Sequence, residues 1–121
     1  METMYRPEIL EIYSEKPNYG ELKTKTHEFL LKNPGCEDII KIDLEIKDGK
    51  VVDARFSGKT CFISQVSASV ILDNIKGMET KKIMNLGKVD VDGFLGMSVI
   101  STRVGCELFP LEAVKRCLKN A

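Results

Sequence analysis

Ile40-Lys41-Ile42-Asp43-Leu44-Glu45-Ile46-Lys47-Asp48-Gly49-Lys50-Val51-Val52-Asp53-Ala54-Arg55-Phe56-Ser57-Gly58-Lys59-Thr60-Cys61 carries the pattern that decides the fold. Ile40, Ile42, Leu44 and Ile46 alternate with Lys41, Asp43, Glu45 and Lys47, the two-residue period of a half-buried strand. On the return, Val52, Ala54 and Phe56 alternate with Asp53, Arg55 and Ser57. A two-residue turn at Asp48-Gly49 pairs Ile46 with Val51 and Leu44 with Asp53, which throws the two apolar rows onto opposite faces. A three-residue loop, Lys47-Asp48-Gly49, instead pairs Ile46 with Lys50, Leu44 with Val52, Ile42 with Ala54 and Ile40 with Phe56. That register puts both apolar rows on one face and is the one expected.

Continued outward, the same register sets Asp38 opposite Gly58 and Cys36 opposite Thr60, beside Cys61, with facing α-carbons roughly 5 Å apart. Two cysteines and a carboxylate are thus expected at one end of the hairpin, with Asn33-Pro34-Gly35 as the turn leading in. Cys36 and Asp38 share the parity of Ile40 and should point toward the helices, where a carboxylate needs a cation, a metal or backbone amides. Phe62 to Lys76 carries Ile63, Val66, Val70, Ile71 and Ile75 at helical spacing, with Gly77 as its stop. Cys61 should sit at the N-terminus of that helix. Unpaired amides and the helix dipole favour a thiolate there, as metal ligand or nucleophile.

With 121 residues and 43% hydrophobic content, the chain is expected to form one domain, residues 1–121, with a core that needs no disulfides. Lysine plus arginine balances aspartate plus glutamate at 18 each, so no basic field points to nucleic acid or an anionic membrane. No apolar signal region or membrane-length stretch is seen, and a cytoplasmic location is expected, where four cysteines read as thiols or metal ligands.

Pro7 to Glu15 reads as a short helix with Tyr5, Ile9, Ile12 and Tyr13 as its stripe, and Tyr19 to Thr26 as a third, edge strand. His27, the only histidine, lies in a lysine-rich segment and reads as solvated rather than as a metal ligand. Thr80 to Leu86 reads as a short helix. Val89-Asp90-Val91-Asp92-Gly93 reads as a capped turn, because it lacks the third ligand and closing glutamate of a calcium loop. Leu95 to Thr102 suits a buried helix. The last helix is expected to open near Cys106 or Glu107 and to turn Leu108, Leu111, Val114 and Leu118 inward. Cys117 falls about 16 Å from Cys106 by helical rise and reads as core. Cysteine spacings of 25 and 45 residues match no zinc-ribbon rule, so spacing alone leaves open whether these thiols hold a metal.

Three blocks carry a resemblance: Asn33-Pro34-Gly35-Cys36-Glu37-Asp38; Asp53 to Cys61 with Ile63-Ser64 and Ser67-Ala68-Ser69; and Arg103-Val104-Gly105-Cys106 with Leu108 and Ala113. In this order they resemble the signature blocks of the IscU/NifU N-terminal family of iron-sulfur cluster scaffolds. Lys16-Pro17-Asn18-Tyr19-Gly20 is similar to that family's N-terminal Asn-Pro-Arg-Asn-x-Gly segment, one residue shorter.

The resemblance implies an α+β fold, a three-stranded antiparallel sheet with helices packed on one face. It also implies a non-enzymatic scaffold that receives sulfur from a cysteine desulfurase, builds a 2Fe-2S cluster and passes it to recipient apo iron-sulfur proteins. On the same basis Cys36, Cys61 and Cys106 are the cysteine ligands and sulfur-accepting candidates, and Asp38 is the site carboxylate. The oligomeric state, a homodimer included, stays open.

Gly105 stands where many members carry histidine, and the Leu-Pro-Pro-Val-Lys motif of those members is missing. Arg103, three residues before Cys106, resembles instead the SufU branch, which binds zinc and accepts sulfur, although Gly77 to Cys106 is too short for that branch's insertion. Glu37 also replaces the usual glycine. Arg103 is a candidate partner for Asp38 in the metal-free protein. Beside the scaffold reading stand a zinc-dependent sulfur acceptor using the same four residues and a purely structural zinc or thiol protein.

Overall fold

The computed structural model describes residues 6–34 and 37–119. Its elements run α1 (Pro7–Glu15), β1 (His27–Lys32), β2 (Ile39–Lys47), β3 (Lys50–Lys59), α2 (Phe62–Ile75), α3 (Thr80–Ile83), α4 (Lys88–Leu95), a 3-10 turn (Ser101–Arg103) and α5 (Val104–Lys119). The strands form an antiparallel meander in the order β1-β2-β3. α5 packs on β1 and β2, α2 packs on β3 and α5, and α1 and α4 flank α2. This is the expected α+β architecture.

The β2–β3 hairpin keeps the expected facing but not the expected register. Its turn is the two-residue one, with Asp48 and Gly49 both at positive φ (54° and 76°), closing Lys47 on Lys50 and Ile46 on Val51. Such a turn matches the right-handed twist of the strands it joins. A bulge at Glu45/Ile46 then absorbs Val52, so that Glu45 faces Asp53, Leu44 faces Ala54, Ile42 faces Phe56 and Ile40 faces Gly58. One inserted residue flips the parity back. Val51 is therefore the buried residue at 0% exposure, and Val52 stands 47% exposed. The pairing of Asp38 with Gly58 is corrected by two residues.

The third strand is His27–Lys32, not Tyr19–Thr26. Lys16 and Asn18 hold left-handed φ (50° and 69°) around Pro17, and the chain that follows makes only an isolated bridge at Tyr19 before turning at Lys23-Thr24. The segment instead plugs the free edge of β3: Phe56 N–H donates to Asn18 O (2.9 Å) and Gly20 N–H to Phe56 O (2.7 Å). Beyond it, the outer face of the sheet is closed by Leu22, whose N–H donates to the buried Asp43 carboxylate (3.1 Å), with Lys25 and Lys41 beside it.

α1 has the expected bounds and buries Ile9, while Tyr5 lies outside the described residues. α2 is buried nearly all round, Ser64, Gln65, Ser67 and Ser69 included. Residues 88–95, read as a turn, form a helix: the Gly87 N–H donates to the Asp90 carboxylate (2.8 Å), and Val91 and Leu95 go into the core one turn apart. Gly96 (φ 74°) ends it, so Leu95–Thr102 is not a buried helix but an irregular chain that buries Met97 and Val99. α5 starts two residues earlier than expected and turns Phe109, Leu111, Val114 and Cys117 inward, with Leu108 and Leu118 half-buried. Among the described residues no helix is long and apolar enough to cross a membrane.

Gly58 locks β3 to β2 just before the chain reaches Cys61. Its φ is +115°, and a Cβ there would lie 2.2 Å from the Ile39 carbonyl oxygen. Gly58→Ala is expected to lower the unfolding free energy by about 2–3 kcal/mol, measured by urea titration, because the opposing atom is backbone and cannot swing aside.

Candidate functional site

Cys61 is the N-cap of α2, in extended conformation (φ −69°, ψ 171°), and its Sγ accepts the Ser64 N–H at 3.4 Å. Its place at a helix start is as expected from the sequence. Cys106 is the third residue of α5 and half-buried like Cys61. Asp38 immediately precedes β2 and is half-buried; its carbonyl accepts the Asn33 N–H at 2.9 Å, closing the turn between β1 and β2. Cys36, two residues earlier in the sequence, lies outside the described residues.

Three separate segments meet at one buried hydroxyl. Ser64 Oγ donates to the Cys106 carbonyl at 2.9 Å, lies 3.4 Å from Cys61 Sγ and lies 3.5 Å from Asp38 Oδ2. Asp38 therefore does face the helices, as its parity with Ile40 requires. Among the described residues no three histidine, cysteine or acidic side chains are already drawn together into a metal cage. The Cys61 thiol and the Asp38 carboxylate meet here with the main chain of Cys106, and thiols and a carboxylate are donor types that suit zinc or iron.

The other sequence candidates fall as follows. Arg103 is exposed on the 3-10 turn and forms no ion pair with Asp38, so the expected pairing is not made in this structure. His27 opens β1 opposite Leu44, at the other end of the sheet, where it shares a cavity of about 280 Å³ with Ile46, Met84 and Leu118. It is remote from the thiols. Cys117 is buried, and burial pushes its thiol up to about 12, which makes it the inert core residue expected.

The roles of three residues near the site escaped the sequence reading, although Ser64 stands in a resemblance block and Glu107 at the expected opening of the last helix. Ser64 is one. Pro110 is the second: it sits four residues after Cys106 inside α5, where its missing N–H leaves the Cys106 carbonyl without a helical donor. The spacing was visible in the sequence. The third is Glu107, wholly buried next to Cys106. Burial, then the neighbouring Asp92 carboxylate, push Glu107 up to about 8, against the pull of Lys88 at 3.8 Å. Burial pushes Asp92 up, but the neighbouring Glu107 carboxyl, the Lys88 ammonium and the Val99 N–H outweigh it and hold Asp92 below its usual range. Glu107 therefore keeps its proton at neutral pH beside the ionised Asp92, although neither of its buried carboxyl oxygens has a hydrogen-bond partner among the described residues.

Between 4.5 and about 8 the folded Glu107 holds a proton that the unfolded chain lacks, so stability falls as pH rises through that window. Glu107→Gln keeps an uncharged polar group of the same shape without the titration. It is expected to flatten this part of the stability profile, read from urea midpoints at about pH 5, 6.5 and 8 against the parent protein.

Comparisons with known proteins bear on the family and the fold. Residues 4–120 match the family described as NifU-like N terminal domain. The zinc-dependent sulfurtransferase SufU of Bacillus subtilis is 26% identical over 133 residues, covering 96% of this chain and 90% of the relative. The iron-sulfur cluster assembly scaffold protein IscU of Thermotoga maritima is 40% identical over 83 residues, covering 69% of this chain and 58% of the relative. Among solved structures, a SufU from Fervidobacterium islandicum superimposes with a TM-score of 0.78 at 22% identity, covering 95% of this chain and 96% of that one, which bears on the fold alone.

Proposed function

The chain belongs to the NifU-like N-terminal domain family, and from that premise we propose that it is a scaffold on which a 2Fe-2S cluster is assembled from iron and desulfurase-derived sulfur and then handed to apoproteins. The observation that supports this reading is the convergence of Asp38, Cys61 and the Cys106 main chain on Ser64, from three different elements. Cys36, Cys61 and Cys106 would bind the cluster as thiolates, and Asp38 would supply an oxygen donor. Thiolates hold iron strongly, and a carboxylate in place of a fourth thiolate makes the cargo easier to release. The partners on this reading are a cysteine desulfurase and recipient apo iron-sulfur proteins, with a homodimer as one way of sharing a cluster.

A second reading is favoured by the near full-length match to a relative named as a zinc-dependent sulfurtransferase and by Gly105 and Arg103 ahead of Cys106. Here zinc would be held by Asp38, Cys36, Cys61 and Cys106, and would supply charge that keeps the thiols deprotonated. A thiolate of the chain attacks the outer sulfur of the desulfurase persulfide; that sulfur–sulfur bond breaks, a new one forms on the chain, and the desulfurase cysteine leaves as thiolate.

Anaerobic reconstitution with iron, cysteine and a cysteine desulfurase, followed by absorption and metal analysis of the desalted protein, separates the two readings. A 2Fe-2S spectrum that moves to an apo-ferredoxin is expected for the scaffold. Retained zinc, no cluster and faster desulfurase turnover would replace it with the sulfur acceptor. In either case Cys36→Ser, Cys61→Ser and Cys106→Ser should each lower metal or cluster occupancy at least about 10-fold. Cys117→Ser should leave occupancy intact and cost about 1 kcal/mol of stability; loss of the cluster in that variant alone would overturn the site assignment.

A further inference from the structure

We infer that Ser64 is a positioning residue of the thiol site, with Pro110 as its partner, an inference that rests on the metal- or cluster-binding role proposed above. Ser64 is fully buried, yet it is polar and lies in the first turn of α2. Its hydroxyl has one proton to give. In an uninterrupted α5 the N–H of residue 110 would satisfy the Cys106 carbonyl; proline has none, so that carbonyl is open to a donor from outside the helix. Ser64 Oγ takes it at 2.9 Å, tying the start of α5 to the start of α2.

That commitment determines what remains for the other two contacts. With the proton spent on Cys106, the oxygen lone pairs are left for the Cys61 thiol at 3.4 Å. Asp38 Oδ2, at 3.5 Å, is at the outer limit of a hydrogen bond and stays free to turn toward an incoming metal. Pro110 thus diverts the hydroxyl away from the carboxylate. Restoring an N–H at position 110 would return the Cys106 carbonyl to its own helix and release the Ser64 proton toward Asp38. The spacing of Cys61, Cys106 and Asp38, and the freedom of the last, then depend on one serine and one imino acid.

Full-length protein loaded with zinc, titrated against a chromophoric chelator, and with cobalt(II), read by its thiolate charge-transfer and ligand-field bands, tests the assignment. Ser64→Ala is expected to weaken zinc about 10-fold and to shift the cobalt ligand-field bands. Ser64→Thr, which keeps the hydroxyl, should restore both. Pro110→Ala alone should fold and still shift the bands, through Asp38. The double variant Ser64→Ala with Pro110→Ala should recover thermal stability, because the Cys106 carbonyl regains a donor, but not zinc affinity. If affinity returns together with stability, the role is merely structural and the inference fails. It fails too if Ser64→Ala and Pro110→Ala both match the parent protein in affinity and spectrum. A parent protein that takes up neither zinc nor cobalt on its thiols would overturn the site reading itself, and this inference with it.

Discussion

The burial of α2 is the constraint on which the rest depends. A helix whose residues from Ile63 to Leu72 are all withdrawn from water cannot be moved or rotated without opening the core on several sides at once. It is held by the sheet and α5, with α1 and α4 alongside, and its first residue follows directly on Cys61. The Cys61 sulfur therefore sits at the start of a helix buried on nearly every side. Small side chains make this arrangement feasible: Ser64, Ser67, Ala68 and Ser69 let neighbouring helices approach where longer ones would force them apart.

The second half of the site is attached to this anchor by polar contacts rather than by apolar packing alone. α5 carries Cys106 toward Ser64 and, one residue on, places Glu107 among Asp92, Lys88 and the core. Buried carboxyl groups are costly when charged, and the proton that Glu107 retains removes that cost. The same Asp92 accepts from the Val99 N–H and binds Lys88, so it pins the irregular chain after α4 against the start of α5. Cys61 is thus fixed by burial, whereas the approach to Cys106 is fixed by hydrogen bonds.

How far sequence reasoning reached can be seen element by element. α1, the start of α2, the inward parity of Asp38 and the core role of Cys117 were legible because each follows from a local period or from one capping residue. The hairpin shows the limit. Asp48-Gly49 announced a two-residue turn, but the pattern alone forbade it, since the compensating insertion of Val52 leaves no mark in an alternation count. β1 was displaced by the charged run before it, although Phe29 and Leu31 already carried the alternation. α4 was hidden by the reading of Val89 to Gly93 as a capped turn, whereas the cap is Gly87 and a helix of two turns follows it.

By itself the sequence determined the inward-facing rows of the hairpin and the placement of one thiol at a helix start, because periodicity and capping are properties of consecutive residues, while the architecture class was implied by the resemblance that the three cysteine blocks carry. Only the tertiary structure decided the strand register, the helix at 88–95, and the meeting of Asp38, Cys61 and Cys106 on the Ser64 hydroxyl. The physical reason is that a bulge, a buried carboxyl such as Glu107 beside Asp92, and the bond from Ser64 to the Cys106 carbonyl each depend on segments distant in the chain. A residue's own type shows that it needs such a partner; only the packed fold shows which one it finds.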